Sequence, residues 1–215
     1  MRVVALVYDR PMADAAIHGT AGPVGAVLAG GAGRRMGGAK PGAPLAGRPL
    51  IAWPLDALKA AGLGEIAVVA KASTALPPLE GVVVRREPEE PRHPLAGVVE
   101  ALRWAAGRPV VVLACDLPLV DAGLVGLLAS ADSLGAPAVV ARADGRVQPL
   151  CARYEPQALE LLAGFDASGR AVPQVEALGP VLLDVDGSLL RNVNTPQDLA
   201  AVTELLGVVA RARGR

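Results

Sequence analysis

Aromatic residues are almost missing from this chain of 215 residues: they make up 2% of it, against 52% hydrophobic residues overall. Ala, Val and Leu must therefore fill the core, which suits alternating strands and helices better than a sandwich anchored on aromatic rings. Net charge is lacking too, at +0, which argues against a general nucleic-acid or anionic-membrane binder and makes any attraction for phosphate local. The two cysteines, Cys115 and Cys151, lie in apolar runs without metal-ligand spacing, so they read as buried thiols in a reducing compartment rather than a disulfide. No apolar run approaches the roughly 18 residues of a membrane span. The apolar stretch from Val3 to Tyr8 is cut short by Asp9 and Arg10, too early for a signal peptide. A cytoplasmic protein with neither nucleic-acid nor membrane partners is expected.

Two phosphate-binding loops are also missing. The P-loop requires Gly-Lys followed by Ser or Thr; the chain has no Gly-Lys pair, and Pro41 follows Lys40. The dinucleotide fingerprint GxGxxG fails because Met36 stands three residues after Gly33. What is present is residues 24–50, VGAVLAGGAGRRMGGAKPGAPLAGRPL. A buried strand, Val24 to Leu28, runs into a glycine-rich loop carrying Arg34, Arg35 and Lys40, and a helical pattern starts after Pro49. Glycines let backbone N–H groups approach an anion closely, and the cations neutralise it.

Further along, the pattern repeats as strand, loop and helix, which predicts one α/β domain with a doubly wound, mostly parallel sheet and helices on both faces. Ile51, Leu55 and Leu58 share a helix face; residues 65–70 and 82–84 read as strands around a surface loop. The proline-rich segment after them is an extended loop, and a helix starts at Pro94 with Leu95, Val98, Val99 and Leu102 on one side. His93 reads as a loop histidine rather than a catalytic base, as does His18 rather than a ligand. Val110 to Ala114 is the strongest strand. It delivers Asp116 to its carboxyl end, where open α/β sheets place ligands; a cap on the next helix is the competing role. Residues 121–134 read as a helix, 136–141 as a strand, Asp144-Gly145 as a turn and 156–165 as a helix. After a last strand at 180–185, Thr195, Pro196 and Asp198 form a helix start. Residues 1–22 are an extension with one short strand at 3–7, 23–208 the domain, and 209–215 a basic tail.

The loop LAGGAGRRMGGAK resembles the nucleotide-binding loop of the molybdenum cofactor guanylyltransferase (MobA-like) family of nucleotidyltransferases, matched at Leu28, Ala29, Gly30, Gly31, Arg35, Met36, Gly37 and Lys40. Ala39 replaces the usual Asp, and Pro41 a small or aliphatic residue. The PLAG segment Pro94–Gly97, the CDLP segment ending the strongest strand, Gln148-Pro149 and the closing NVNTPQDL are similar to the family's later motifs. The resemblance implies a Rossmann-like, nucleotide-diphospho-sugar transferase-like fold and Mg²⁺-dependent transfer of GMP from GTP to the phosphate of molybdopterin. It further implies Arg35, Lys40 and Asp116 as catalytic groups, with Asp116 the metal ligand. Nucleotide binding would fall to Leu28, Ala29, Gly30, Gly31, Arg35, Lys40, Glu87, Leu95, Ala96, Gly97 and Asp116, with Glu89 a rival to Glu87. Gln148, Asn192 and Asn194 would bind the acceptor, although Gln148 alone reads equally as a turn-stabilising side chain. A CTP-dependent or other small-phosphate nucleotidyltransferase is the nearest alternative, and a non-catalytic cofactor-delivery module the alternative of another class. Transient contact with other molybdenum cofactor biosynthesis proteins is implied; oligomeric state is not readable.

Overall fold

Val24–Leu28 (β2) is buried at every position, as expected of a strand covered on both faces. The computed structural model describes residues 3–4, 22–31, 36 and 40–213, with side chains at 22–31, 36 and 40–207. Chain order runs from β1 (Val3–Val4) and β2 through the hairpin β3 (Pro44–Leu45) and β4 (Arg48–Pro49) to α1 (Ala52–Ala60), β5 (Ile66–Lys71) and β6 (Val83–Glu87). It continues with α2 (Pro94–Ala105), β7 (Val110–Ala114), α3 (Ala122–Ser130), β8 (Ala138–Ala143) and β9 (Arg146–Tyr154). The short helices α4 (Ala158–Leu162) and α5 (Ala171–Ala177), β10 (Val181–Asp184) and α6 (Pro196–Arg213) complete it. Eight strands form one sheet in the order β1-β10-β8-β9-β7-β2-β5-β6. All neighbours are parallel except β9, which runs antiparallel to both β7 and β8.

The sheet is covered on both faces, as the alternating strand and helix pattern predicts. Alternate residues of β2 serve opposite cores: Val27 packs with Ile51, Leu55 and Leu58 of the α1 side and with Leu124 and Leu128 of α3. Ala26 and Leu28 pack with Leu95, Val98 and Leu102 of α2 and with Leu162 and Val175 of α4 and α5. A small third cluster, Leu45, Leu50, Val193 and Val202, seats α6 on the β3–β4 hairpin. None of the described helices is long and apolar enough to cross a membrane. Both cysteines are free and buried, and burial pushes their thiols up to about 12.

Several boundaries differ from the sequence reading. The hairpin β3–β4 occupies Pro49, so α1 starts at Ala52 and Pro54 falls in its first turn, where a missing N–H costs nothing. β6 runs to Glu87 instead of stopping near Val84, because it pairs with β5 up to Lys71. α3 ends at Ser130, not 134: Ala131 turns extended, and the buried Arg153 donates to the carbonyls of Leu128, Ala129 and Ala131. α5 had no expected counterpart. Of the extension, Val3–Val4 pairs in parallel with β10; His18 and the rest of the expected strand lie outside the described residues. The Asp144-Gly145 turn is as read, with φ of 49° and 73° matching the two-residue hairpin between β8 and β9.

Beyond that turn the β8–β9 register jumps from Arg142↔Val147 to Val140↔Ala152. The extra β9 residues form a bulge, and the buried Tyr154 hydroxyl donates to the Pro149 carbonyl within it at 2.8 Å. Bulges re-aim side chains, and from this one Leu150 reaches the cleft described below. Tyr154→Phe is expected to leave that buried carbonyl unsatisfied and to lower stability by about 1–3 kcal/mol in chemical denaturation, with the fold retained.

Candidate active site

β2 and β7 are adjacent and parallel, with Leu28 level with Ala114. The loops that follow them therefore open on the same edge of the sheet, the glycine loop from one and Cys115-Asp116 from the other. A cleft of about 280 Å³ lies there, lined among others by Leu28, Gly30, Gly31, Lys40, Lys71, Glu87, His93, Gly97, Asp116 and Leu150.

At one end, Lys40 opens a short 3-10 turn, Lys40–Gly42, and its ammonium donates to Asp116 Oδ2 at 2.6 Å and to Asn194 Oδ1 at 2.7 Å. The Lys40 and Asp116 side chains are 11% and 14% exposed, so solvent screens the pair only partly. Pro41 is buried within this turn, and its carbonyl accepts the Ile51 N–H at 3.1 Å. Asn194 is held from the other side. The Val193 N–H donates to the Asp116 carbonyl at 2.9 Å, and the Asp198 carboxylate accepts the N–H groups of Asn194 and Thr195 at the start of α6. Those donors, Asn194 N–H first, hold the Asp198 carboxyl below its ordinary value. The competing role for Asp116 is excluded, since Asp121 caps α3 by accepting the Leu124 N–H.

At the other end, the Glu87 side chain is buried, 7% exposed. Burial raises its carboxyl above the ordinary value, against the pull of Lys71, whose Nζ lies 3.6 Å away and donates to the Pro88 carbonyl at 2.6 Å. Two glycines make room for it. A Cβ on Gly30 would fall 1.5 Å from Glu87 Oε1, and one on Gly97 would fall 3.1 Å from Leu28 and 3.3 Å from Glu87 Oε2. The glycines of the first loop and of the PLAG segment thus share one task, clearing space around a carboxylate. The rival Glu89 points elsewhere and binds Ser73 N–H and hydroxyl.

Not every expected residue reaches the cleft. Ala29, Leu95 and Ala96 are buried in the packing behind it, because strand and helix alternation turns them away from the face that Leu28 and Gly97 present. Gln148 is half-buried in the β9 bulge and Asn192 is exposed; neither lines the cleft. Arg34, Arg35, Gly37 and Ala39 lie outside the described residues. Sequence reading passed over Lys71, Leu150 and Arg92 as lining residues. A lysine ending an otherwise apolar strand, IAVVAK, was the available signal for Lys71.

The cleft gathers Gly30 and Gly31, two lysines and two carboxylates at a switch in strand order, groups suited to nucleotide phosphate chemistry. Fold and site together define a nucleotidyltransferase-type α/β domain. The molybdopterin-guanine dinucleotide biosynthesis protein A of Archaeoglobus fulgidus superposes with a TM-score of 0.67 at 24% identity, covering 85% of this chain and 98% of that one. The 2-C-methyl-D-erythritol 4-phosphate cytidylyltransferase of Thermus thermophilus gives 0.63 at 25% identity, with 85% and 98% covered. Among sequences, a molybdenum cofactor guanylyltransferase of Cereibacter sphaeroides is 39% identical over 85% of this chain and 96% of its own length. One from Ectopseudomonas mendocina is 35% identical over 82% and 90%. Residues 25–178 match the sequence model of the MobA-like NTP transferase domain, and the chain belongs to that family.

The Gly30–Glu87 fit is directly testable. Gly30→Ala is expected to destabilise the protein by about 1–3 kcal/mol through overpacking. Combined with Glu87→Ala it should cost at least about 1 kcal/mol less than the two single changes summed, measured by urea denaturation. Strict additivity would contradict the contact.

Proposed function

We propose that this chain transfers a GMP unit from GTP to the phosphate of molybdopterin and releases pyrophosphate. The relatives that match nearly their whole length are named for guanylyl transfer in molybdenum cofactor synthesis. The observation that carries the reading is the meeting of Lys40, Asp116 and Asn194 at the strand edge, with the buried Glu87 across the same cleft.

In this reading Glu87 accepts hydrogen bonds from the guanine N1–H and N2–H₂, groups that adenine lacks in that arrangement. The triphosphate lies along the glycine loop, where the N–H groups of the Gly30-Gly31 stretch face its oxygens. An oxygen of the acceptor phosphate attacks the α-phosphorus, the bond to the β-phosphate oxygen breaks, and pyrophosphate leaves with the electron pair. The attacking phosphate is already ionised, so no general base is needed. Lys40, joined by Arg35 from the loop, compensates the charge that builds on the leaving pyrophosphate. Gln148 and Asn192 are proposed to meet the acceptor at the rim. No nucleic acid or membrane takes part, and a cytoplasmic setting fits the two unpaired thiols.

Mg²⁺ suits the donors present. The Asp116 carboxylate and the Asn194 amide oxygen already converge on one cation, the Lys40 ammonium, at 2.6 and 2.7 Å. Both are hard oxygen ligands, and magnesium is held by one or two such groups with phosphate oxygens and water completing the shell. When bound, the ion would neutralise phosphate charge and polarise the phosphoryl oxygens.

Asp116→Ala is expected to lower pyrophosphate release from GTP and molybdopterin by about a hundredfold or more; turnover within about tenfold of wild type would contradict the assignment. In a thermal-shift series with Mg²⁺, GTP should stabilise the protein more than CTP, UTP or ATP.

A further inference from the structure

One buried titratable side chain in the cleft has no part in the transfer chemistry. His93 is 8% exposed and stands where the chain enters α2. Its Nδ1 accepts the Leu95 N–H at 3.2 Å, capping the helix, and its Nε2 lies 3.1 Å from the Gly169 carbonyl. The ring stacks on Phe165, centroids 4.8 Å apart at 20°. An amide N–H only donates and a carbonyl only accepts, so one state satisfies both ends: neutral imidazole, with the proton on Nε2. The turn that His93 caps carries Pro94 and Gly97 into the cleft, and Gly97 packs against Leu28 and Glu87.

We infer that His93 is a positioning residue: in its Nε2–H form it pins the first turn of α2 to the Phe165–Gly169 loop, and protonation at Nδ1 releases that turn and weakens nucleoside triphosphate binding. The binding half of this inference rests on the proposed function. Protonation turns Nδ1 from acceptor to donor, so two donors face each other at the cap. It also sets a positive charge at the positive end of the α2 dipole. The charged groups near the ring are Asp166 in the stacked loop and Arg92, Lys71 and Glu87, which line the same cleft. None of them can restore the acceptor that protonation of Nδ1 removes.

The chain has two histidines, His18 and His93, so ¹⁵N labelling of histidine gives a spectrum of two rings, assigned by comparison with His93→Asn. At about pH 8 the His93 ring should be a single tautomer protonated at Nε2, and in a sample that also carries ¹⁵N-leucine the Leu95 amide resonance should move when acid protonates the ring. The dissociation constant for GTP with Mg²⁺ is then compared at about pH 7.5 and about pH 5.5 in wild type and in His93→Asn, which keeps a capping acceptor but does not titrate. Protonation of GTP itself affects both proteins alike. The weakening in wild type should exceed that in the variant by about fivefold or more. A ring protonated at Nδ1, a Leu95 amide indifferent to the titration, or equal pH ratios would overturn the inference. Absence of GTP binding by wild type at either pH would instead overturn the proposed function; the tautomer and the Leu95 response, which need no ligand, would still decide whether His93 pins α2.

Discussion

The Lys40 ammonium, shared between Asp116 and Asn194, makes the contact on which the site depends. Its three members come from distant parts of the chain: the end of the glycine loop, the end of β7 and the start of α6. They meet because β2 and β7 are adjacent and parallel, so whatever follows each strand leaves by the same edge. The antiparallel β9 lies on the far side of β7, and its bulge closes the cleft with Leu150. α6 returns at the end of the chain to place Asn194, and its seat on the β3–β4 hairpin keeps that residue beside the loop that carries Lys40. A shift of any of these elements would leave a partly buried charge without its partner, which is costly.

The opposite end of the cleft is governed by volume. Glu87 is buried, and a carboxylate there needs both a compensating charge and free space. Lys71 supplies the first from the neighbouring strand. Gly30 and Gly97 supply the second, and neither could carry a side chain without displacing its neighbours. In the proposed reaction one loop would therefore do two jobs: offer backbone donors to phosphate and, at Gly30, leave room for the group proposed to read the base.

Much of this was legible in the sequence because apolar periodicity reports burial. The β2 and β7 strands, the α2 face built on Leu95, Val98, Val99 and Leu102, and the Thr195–Asp198 helix start all stand where the pattern placed them. The meeting of Lys40 with Asp116 followed from strand ends and motif order. Other features are not written locally. β6 extends to Glu87 through pairing with β5, which no residue between Arg85 and Glu87 announces. Arg153 ends α3 from another strand, and in sequence it looks like a surface charge. Ala29, Leu95 and Ala96 belong to matched motifs yet pack inward: a motif records the segment, while side-chain direction decides which members touch the cleft. Lys71 was hidden for the complementary reason, a charged residue at the end of a strand whose burial depends on a partner sixteen residues further along.

The central claim is that Lys40 and Asp116 act as one unit at their end of the cleft. A double-mutant cycle on kcat/KM for guanylyl transfer, with Lys40→Met, Asp116→Asn and the pair, tests it most directly. The account predicts strong non-additivity, the double variant being slowed little more than the worse single one. Losses that multiply, as for two independent groups, would contradict it.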